Sequence, residues 1–353
     1  MARPIRTALI GRGLGGSAFH APLIRACDGL ELTRWVGADG AAEAATAGDV
    51  DLVVVAAPNA FHFPLARAAL EAGKHVVVDK PFTVSLDEAD ALIALAAARG
   101  RMLSVFHNRR WDGDFLTVRA LLPALGTVRL FEAHWDRFRP AIKPGWREVP
   151  AEGAGLLADL GPHLVDQALR LFGAPDAVAA EMLAQRPDAR VDDHFELRLH
   201  YGAMRAVLGA STLVADPRPR FALHGTGGSF VKHGLDPQEA ALKAGADPRT
   251  PLPDPSPGRL TRADGSHETV PTRPGRYLAF YEGVAAAIRG EGPPPVDPAD
   301  ARQGLRLLDL ARQSAREGRV LPARGSSPPA ETAFGLSLSP QAHAMVEVPE
   351  RPE

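Results

Sequence analysis

The chain has 353 residues, of which 45% are apolar and 23% charged, a composition typical of a globular protein long enough for about two domains. Forty Lys and Arg residues against 42 Asp and Glu residues give a net charge of -2, which argues against nucleic acid or an anionic membrane surface as a partner. The single cysteine, Cys27, excludes an intramolecular disulfide, and no apolar run approaches the ~18–20 residues of a membrane span. We therefore expect a cytoplasmic protein.

The first hundred residues alternate short apolar runs with helical patterns, which predicts βαβ units and a parallel sheet. Predicted strands lie at residues 7–10, 30–36, 52–56, 75–78 and 102–105. Predicted helices lie at residues 19–27, 63–72, 86–99 and 115–125. Only 15 residues separate Val36 from Leu52, where a doubly wound domain normally fits a helix, a strand and a second helix. This short interval leaves open whether the sheet lacks one strand.

After Gly126 the pattern changes to longer alternating segments at residues 127–135, 194–201 and 205–213, which predict a mostly antiparallel sheet. Helices are predicted at residues 156–172, 277–289 and 298–316. Residues 245–274 indicate loops with one hairpin around Asp264-Gly265, and residues 322–353 a flexible tail. The fold class is therefore α/β followed by α+β, with domains at residues 1–125 and 126–321.

A glycine-rich loop follows the first predicted strand and precedes a helix. Gly11, Gly13 and Gly16 fit the pattern G-x-G-x-x-G in the context that dinucleotide binding requires. Gly11 would permit the tight turn, Gly13 would let the backbone approach the pyrophosphate, and Gly16 would let the helix pack against the strand. A glycine-rich loop without a ligand is the alternative interpretation.

The end of the second predicted strand indicates which nicotinamide cofactor binds. Proteins that bind NAD usually carry an acidic residue there for the ribose 2′-hydroxyl, and this chain has Gly37. The missing carboxylate removes a repulsion against a 2′-phosphate, and Arg34 or Arg12 would attract one. The sequence favours NADP, with NAD as the alternative.

Two segments carry the chemical prediction. Lys80 lies at the C-terminal end of the fourth predicted strand, and open α/β sheets bind ligands at the carboxyl ends of their strands. Asp159, His163 and Asp166 share one face of a predicted helix. Oxidation of a secondary alcohol needs a base, and a histidine oriented by a carboxylate suits that role. A surface lysine and an ordinary polar helix turn are the alternatives, and no third ligand at a suitable spacing completes an Asp/His metal site.

Several further motifs stand in a fixed order along the chain. They are the glycine-rich start, Ala57-Pro58-Asn59 with His62, Ala72-Gly73-Lys74-His75, Asp79-Lys80-Pro81, and the helix with Asp159 and His163. Together they resemble the Gfo/Idh/MocA oxidoreductases over residues 5–320. Three more motifs, Phe19-His20-Ala21-Pro22-Leu23-Ile24, His107-Asn108-Arg109-Arg110-Trp111-Asp112 and Asp136-Arg137-Phe138-Arg139-Pro140, are similar to the branch that contains NADP-dependent scyllo-inositol dehydrogenases. Asp79 departs from the Glu that is usual before the lysine in this family.

The resemblance implies a Rossmann domain followed by an open, mostly antiparallel sheet that commonly packs against a second subunit. We therefore expect a homo-oligomer, a dimer or a tetramer. The catalytic trio implied by the resemblance is Lys80, Asp159 and His163. Residues expected to bind the cofactor are Gly11, Gly13, Leu14, Gly16, Arg34, Pro58, Asn59, His62, Asp79, Lys80, Asn108 and Arg109. Those expected to contact substrate hydroxyls are Arg137 and Trp146.

The function expected from these residues is hydride transfer between NADP and a secondary alcohol of a cyclic polyol or sugar. His163 would exchange the hydroxyl proton, Asp159 would orient it, and Lys80 would donate to the same oxygen, although the sequence leaves the base and the electrophile interchangeable. A keto-sugar reductase using the same site is one alternative. A regulatory protein that binds NADP(H) with little turnover is another.

Overall fold

The computed structural model describes residues 3–142, 148–150 and 153–324. Its first sheet contains β1 (Ile5–Ile10), β2 (Leu30–Val36), β3 (Leu52–Val55), β4 (His75–Val78) and β5 (Leu103–Val105). The strands are parallel throughout, in the order β2-β1-β3-β4-β5. The valines of β3 and β4 are fully buried, as expected for strands with both faces covered. The prediction of a parallel sheet is confirmed.

Helices connect these strands close to the predicted positions. They are α1 (Ala21–Ala26), which continues a π-helical turn (Gly15–His20), then α2 (Ala41–Thr46), α3 (His62–Glu71), α4 (Leu86–Arg99) and α5 (Gly113–Leu121). Short 3₁₀ turns precede α3 and α5 (Asn59–Phe61 and Asn108–Trp111), and another follows α5 (Leu122–Leu125). Between β2 and β3 there is only the short α2, so β2 is an edge strand. The sheet has one strand fewer than the six-stranded dinucleotide-binding order.

The second sheet is larger and mostly antiparallel. Its strands are β6 (Val128–His134), β7 (Ala177–Leu183), β8 (His194–Tyr201), β9 (Met204–Ser211), β10 (Phe221–Gly225), β11 (Gly228–Lys232), β12 (Gly258–Arg262), β13 (His267–Val270) and β14 (Leu321–Pro322). They lie in the order β13-β12-β11-β10-β6-β9-β8-β7-β14, and β6 and β9 pair in parallel. The predicted hairpin at Asp264-Gly265 joins β12 to β13. The alanine-rich β7 has little strand propensity of its own, and its pairing with β8 makes it a strand.

The remaining helices divide between two hydrophobic cores. They are α6 (Leu156–Phe172), α7 (Gln238–Lys243), α8 (Leu278–Ile288) and α9 (Pro298–Glu317). The apolar face of α6 packs on the second sheet, whereas Phe280 and Tyr281 of α8 lie in the core of the first sheet. The chain thus returns to the first core late in its course. The predicted domain boundaries at residues 125 and 321 stay predictions, and residues 325–353 of the predicted tail lie outside the described residues.

The carboxyl ends of the parallel strands and the start of α6 meet at one crevice. Lys80 follows β4 by two residues, and its side chain contacts Asp159 in the first turns of α6. Ligands of open α/β sheets bind outside the carboxyl ends of the strands, where the strand order reverses. That reversal lies between β1 and β3. Within the described part of the chain, no helix is both long and apolar enough to cross a membrane.

Candidate active site

The glycine-rich loop after β1 has the shape that a dinucleotide phosphate requires. Gly11 has φ +129°, and a Cβ on it would lie 2.2 Å from the carbonyl oxygen of Ala56, so only glycine fits the turn. A Cβ on Gly16 would lie 2.1 Å from the carbonyl oxygen of Gly11, so this glycine permits close packing of the helix. Around Gly13, by contrast, the position of a Cβ has no atom within 4 Å. The loop is therefore tight at its ends and open in its middle, which fits a bound pyrophosphate.

Two arginines lie near the end of β2, in different surroundings. The Cδ of Arg12 is 3.9 Å from the position of a Cβ on Gly37, where proteins that bind NAD carry an acidic residue. Arg34 pairs with Glu43 through Nη1 at 3.0 Å and with Asp49 through Nη2 at 3.1 Å. The guanidinium of Arg34, expected to attract a 2′-phosphate, is thus already held by two carboxylates.

The residues after β3 contact the neighbouring segments of the crevice. The side-chain amide of Asn59 lies against Gly153, since a Cβ there would be 2.5 Å from Asn59 Nδ2. His62 Nδ1 is 2.8 Å from the carbonyl oxygen of Pro81, and Nε2 is 2.9 Å from that of Ala57. Because both ring nitrogens face main-chain oxygens, His62 joins the ends of β3 and β4 and offers no free nitrogen to a ligand.

Three other residues of the predicted cofactor site differ in burial. Leu14 is 53% exposed at the tip of the glycine-rich loop, and Pro58 is also exposed. Asn108 is buried at the start of the 3₁₀ turn that precedes α5.

Lys80 and Asp159 meet across the crevice although 79 positions separate them. Lys80 Nζ donates to the main-chain oxygen of Asp159 at 2.8 Å and lies 3.3 Å from its Oδ1. Nη1 of Arg137 lies 3.8 Å from the other carboxylate oxygen. The three side chains are 21–25% exposed, so the group is reachable from solvent. The structure brings together a predicted catalytic pair and a predicted substrate contact.

The start of α6 is shaped by residues that sequence reasoning did not select. Gly155 precedes the helix with φ +90°, and a Cβ on it would lie 2.0 Å from Asp192 Oδ1. Asp192 Oδ2 accepts the N–H of Leu157 at 2.7 Å, and its main-chain oxygen accepts the N–H of Leu156 at 2.9 Å. This capping satisfies two of the free N–H groups of the first turn and fixes the position of Asp159.

His163 lies one turn beyond Asp159 on the same face of α6, and is 6% exposed. Its Nδ1 is buried without a hydrogen-bond partner among the described residues. Burial, together with the positive charges of Lys80 and Arg109, holds the pKa of His163 well below its usual value. The imidazole is therefore neutral near pH 7 and able to accept a proton.

The indole of Trp135 lies beside the ring of His163, and the sequence analysis did not select Trp135 as a site residue. Its ring centroid is 6.1 Å from that of His163. The guanidinium carbons of Arg109, Arg220 and Arg137 lie 4.7, 5.1 and 6.0 Å from the indole centroid. Cations over an indole face are attracted to its quadrupole. The sequence signal that could have identified Trp135 is its position at the end of a predicted strand, next to the motif at residues 136–140.

Arg109 belongs to a buried polar network that joins the turn after β5 to α7 and to the start of α8. Its Nη1 donates to the hydroxyl of Tyr277 at 2.5 Å and lies 3.5 Å from Asp112, and its Nη2 pairs with Glu239. Tyr277 in turn donates to Asp112 at 2.6 Å. Burial raises the pKa of Asp112 well above its usual value, with the Arg109 charge acting against that rise. Arg109 was expected where the cofactor meets the substrate. In the structure its guanidinium is paired with side chains of the protein.

His107 belongs to the motif at residues 107–112, and the sequence analysis assigned no functional role to it. Val78 pairs with Val105, so Lys80 and His107 each lie two residues beyond this pair of β4 and β5. His107 is 5% exposed, and its Nδ1 has no hydrogen-bond partner in the described ranges. Burial lowers its pKa, with the Asp166 charge acting against that shift. The strand-end position was the signal that could have identified it.

One predicted contact residue is not described by the structure, and one cleft lies apart from this crevice. The predicted substrate contact Trp146 lies outside the described residues. A separate cleft of about 550 Å³ beside α8 is lined in part by Arg249, Arg276 and Arg289, and none of the predicted site residues lines it. The cleft is therefore not the place where Lys80 and Asp159 meet.

Comparison with known proteins agrees with this architecture. The model of the oxidoreductase family, NAD-binding Rossmann fold (GFO_IDH_MocA), matches residues 38–107, and that of the C-terminal alpha/beta domain of the same family matches residues 122–323. The crystal structure of an oxidoreductase from Bacillus cereus superposes with a TM-score of 0.81 at 28% sequence identity, covering 92% of this chain and 99% of that one.

Two curated relatives match over most of their length. The uncharacterized oxidoreductase YdgJ of Escherichia coli (strain K12) is 44% identical, covering 91% of this chain and 99% of YdgJ. The scyllo-inositol 2-dehydrogenase (NADP(+)) IolW of Bacillus subtilis (strain 168) is 35% identical, covering 90% of this chain and 95% of IolW. The chain therefore belongs to the Gfo/Idh/MocA oxidoreductase family, as the sequence motifs predicted, and is an NAD(P)-dependent dehydrogenase.

Proposed function

We propose that the protein transfers hydride between NADP(H) and a secondary alcohol or ketone of a cyclic polyol or sugar. The observation that carries this proposal is the contact of Lys80 Nζ with Asp159, 2.8 Å to its main-chain oxygen, one helical turn from the neutral His163. Two relatives, a scyllo-inositol 2-dehydrogenase (NADP(+)) and a UDP-N-acetylglucosamine 3-dehydrogenase, support a cyclic hydroxylated substrate by their names. The second is 31% identical and covers 62% of this chain.

The proposed chemistry divides between the cofactor and three side chains. When bound, the nicotinamide ring accepts or donates the hydride at the reacting carbon. His163, neutral in its buried position, accepts the hydroxyl proton during alcohol oxidation and returns it during ketone reduction. Lys80 uses two donors on Asp159, which leaves a third N–H for the reacting oxygen. An ammonium held this way stabilises alkoxide character as the proton leaves.

The proposed preference for NADP rests on the charge near the end of β2. Arg12 donates through Nη2 to the main-chain oxygen of Trp35 at 2.8 Å, which holds the side chain beside Gly37. Its guanidinium carbon is 5.7 Å from the centre of the Trp35 indole. Because Arg34 is paired with two carboxylates, Arg12 is our candidate for the 2′-phosphate contact. The sequence had named both arginines.

A panel of inositols and aldoses, assayed with NADP and with NAD, tests this proposal. We expect turnover of at least one cyclic polyol and a higher kcat/KM with NADP. Arg12→Gln should weaken NADPH binding and leave NADH binding nearly unchanged, and Arg34→Gln is the matched control that should alter neither. NADPH binding without turnover of any polyol or keto-sugar would contradict the proposal and favour the regulatory alternative. Loss of NADPH affinity in Arg34→Gln alone would contradict the assignment of Arg12.

A further inference from the structure

A buried pair of polar side chains lies next to Asp79, the residue before Lys80. His20 ends the π-helical turn that follows the glycine-rich loop, and Tyr281 lies in α8. Both side chains are fully buried. His20 Nδ1 lies 2.5 Å from the Tyr281 hydroxyl, and His20 Nε2 lies 3.6 Å from Asp79 Oδ2. His20 Nε2 has no hydrogen-bond partner among the described residues, so the link from α8 to the residue before Lys80 consists of one hydrogen bond, Tyr281 to His20, and one polar contact, His20 to Asp79.

The direction of these contacts follows from the protonation states. Burial and the nearby Asp79 charge raise the pKa of Tyr281 well above its usual value, so the hydroxyl keeps its proton. Its one hydrogen-bonding neighbour in the described structure is His20 Nδ1, so the hydroxyl donates there. Because Nδ1 accepts this hydrogen bond, the ring N–H lies on Nε2, the nitrogen that faces Asp79. Although burial favours the neutral acid, this contact with His20 lowers the pKa of Asp79, and the carboxylate stays ionised.

Asp79 connects this series to the crevice. Its Oδ1 accepts the main-chain N–H of Lys80 at 2.8 Å. Its Oδ2 faces the glycine-rich loop, since a Cβ on Gly15 would lie 2.7 Å from this atom. Rotation of the carboxylate would therefore disturb both the backbone of Lys80 and the space beneath the loop.

We propose that His20 and Tyr281 are positioning residues that orient the Asp79 carboxylate and, through it, the backbone of Lys80. The inference rests on the proposed function for its catalytic consequence. Its structural content is independent of the substrate, because the contacts join only side chains of this protein. Lys80 has to place Nζ on Asp159 across the crevice, and a displacement of about 1 Å at such a site costs up to about 10²-fold in rate. Tyr281 thus helps to orient Asp79 from α8, although it is far from His20 and Asp79 in the sequence.

Tyr281→Phe is the sharpest perturbation, because it removes one hydroxyl and keeps the aromatic packing. Tyr201→Phe is its matched control, because the Tyr201 hydroxyl donates to Gly173 at 3.1 Å beside the second sheet. His20→Leu removes the contact with Asp79, whereas His20→Gln keeps an amide N–H that reaches the position of Nε2. All four variants are first compared with the unmodified protein by melting temperature, so that unfolded protein is recognised.

The first readout needs no substrate. The chain has only the lysines Lys74, Lys80, Lys143, Lys232 and Lys243, so modification by an amine-reactive reagent can be followed at each one by peptide mass spectrometry. We expect the rate at Lys80, relative to Lys74, to rise about threefold or more in Tyr281→Phe and His20→Leu, the factor that loss of one net hydrogen bond brings. His20→Gln should fall between His20→Leu and the unmodified protein, and Tyr201→Phe should show no change.

The second readout is turnover of the polyol identified by the panel. Tyr281→Phe and His20→Leu should lower kcat about tenfold or more, with little change in the KM for the alcohol. An unchanged Lys80 modification rate in folded Tyr281→Phe, or an equal rise in Tyr201→Phe, overturns the inference. If the unmodified protein turns over no polyol, the proposed function fails, and the modification rates still decide whether His20 and Tyr281 position Lys80.

Discussion

Replacement of Lys80 by Met tests the proposed electrophile most directly. Met keeps an unbranched chain of similar length and removes the ammonium that donates to Asp159 at 2.8 and 3.3 Å. The loss of one preorganised donor at a developing oxyanion costs about 10²–10³-fold in kcat. Among the described residues, Arg137 Nη1 lies 3.8 Å from Asp159 Oδ2, beyond hydrogen-bond length, so Arg137 replaces little of this stabilisation.

Lys74→Met is the matched control for this substitution. Lys74 is partly exposed, and its Nζ donates to the main-chain oxygen of Val50 at 2.9 Å, away from α6. This control therefore makes the same exchange of Lys for Met and loses one hydrogen bond, but it removes no group from the crevice. Lys74→Met should keep kcat close to that of the unmodified protein.

The assay separates catalysis from cofactor binding. Steady-state kinetics with the polyol gives kcat, and titration of NADPH fluorescence gives Kd in the absence of polyol. We expect Kd to change by less than about tenfold in Lys80→Met, a limit of ~1.4 kcal/mol, because the pyrophosphate contacts of the glycine-rich loop remain. If kcat in Lys80→Met stays within about tenfold of that in Lys74→Met, the ammonium does not stabilise the reacting oxygen. A loss confined to NADPH binding would instead assign Lys80 to the cofactor.

Two further predictions concern the base and the loop. The neutral form of His163 is the proton acceptor, and its pKa lies well below the usual ~6.5, so kcat/KM for alcohol oxidation should show no loss from protonation of the base between pH 8 and 6.5. A half-maximal rate near pH 6.5 that persists in folded protein would show that a histidine with an ordinary pKa is the base. Gly13→Ala should leave the melting temperature nearly unchanged and weaken NADPH binding, because a Cβ there meets no protein atom and occupies the space proposed for the pyrophosphate. Gly16→Ala should lower the melting temperature, because its Cβ would lie 2.1 Å from Gly11 O, and equal melting temperatures for the two variants would contradict this distinction.

The sequence predicted the structure correctly where a local pattern of residues is compatible with only one type of secondary structure. Buried parallel strands require continuous apolar runs, so the valine-rich β3 and β4 were recognisable from sequence alone. The helix predicted to begin at residue 86 does begin there, and Ser85 before it accepts the N–H of Glu88 at 3.3 Å as an N-cap. The four-residue spacing of Asp159 and His163 put both on one face of α6 before any contact was known.

The sequence did not indicate which distant segments of the chain contact one another. Nothing local to α8 indicates that Tyr281 enters the core of the first sheet and contacts His20. The residues near Arg34 likewise did not reveal that Glu43 and Asp49 hold its guanidinium, whereas Arg12 lies at the end of β2. Such pairings depend on the path of the chain between elements, which hydrophobic periodicity does not encode.

The sequence by itself therefore determined the two sheets, the dinucleotide loop and the types of residue available for proton and hydride chemistry. The tertiary structure decided which of these residues act on one another. Lys80 contacts Asp159 only because β4 ends where Asp192 caps α6, and Arg109 joins a buried network only because Tyr277 and Glu239 return to it from far along the chain. The physical reason is that protonation and orientation depend on burial and on neighbouring charges, and both arise only when separate segments pack together.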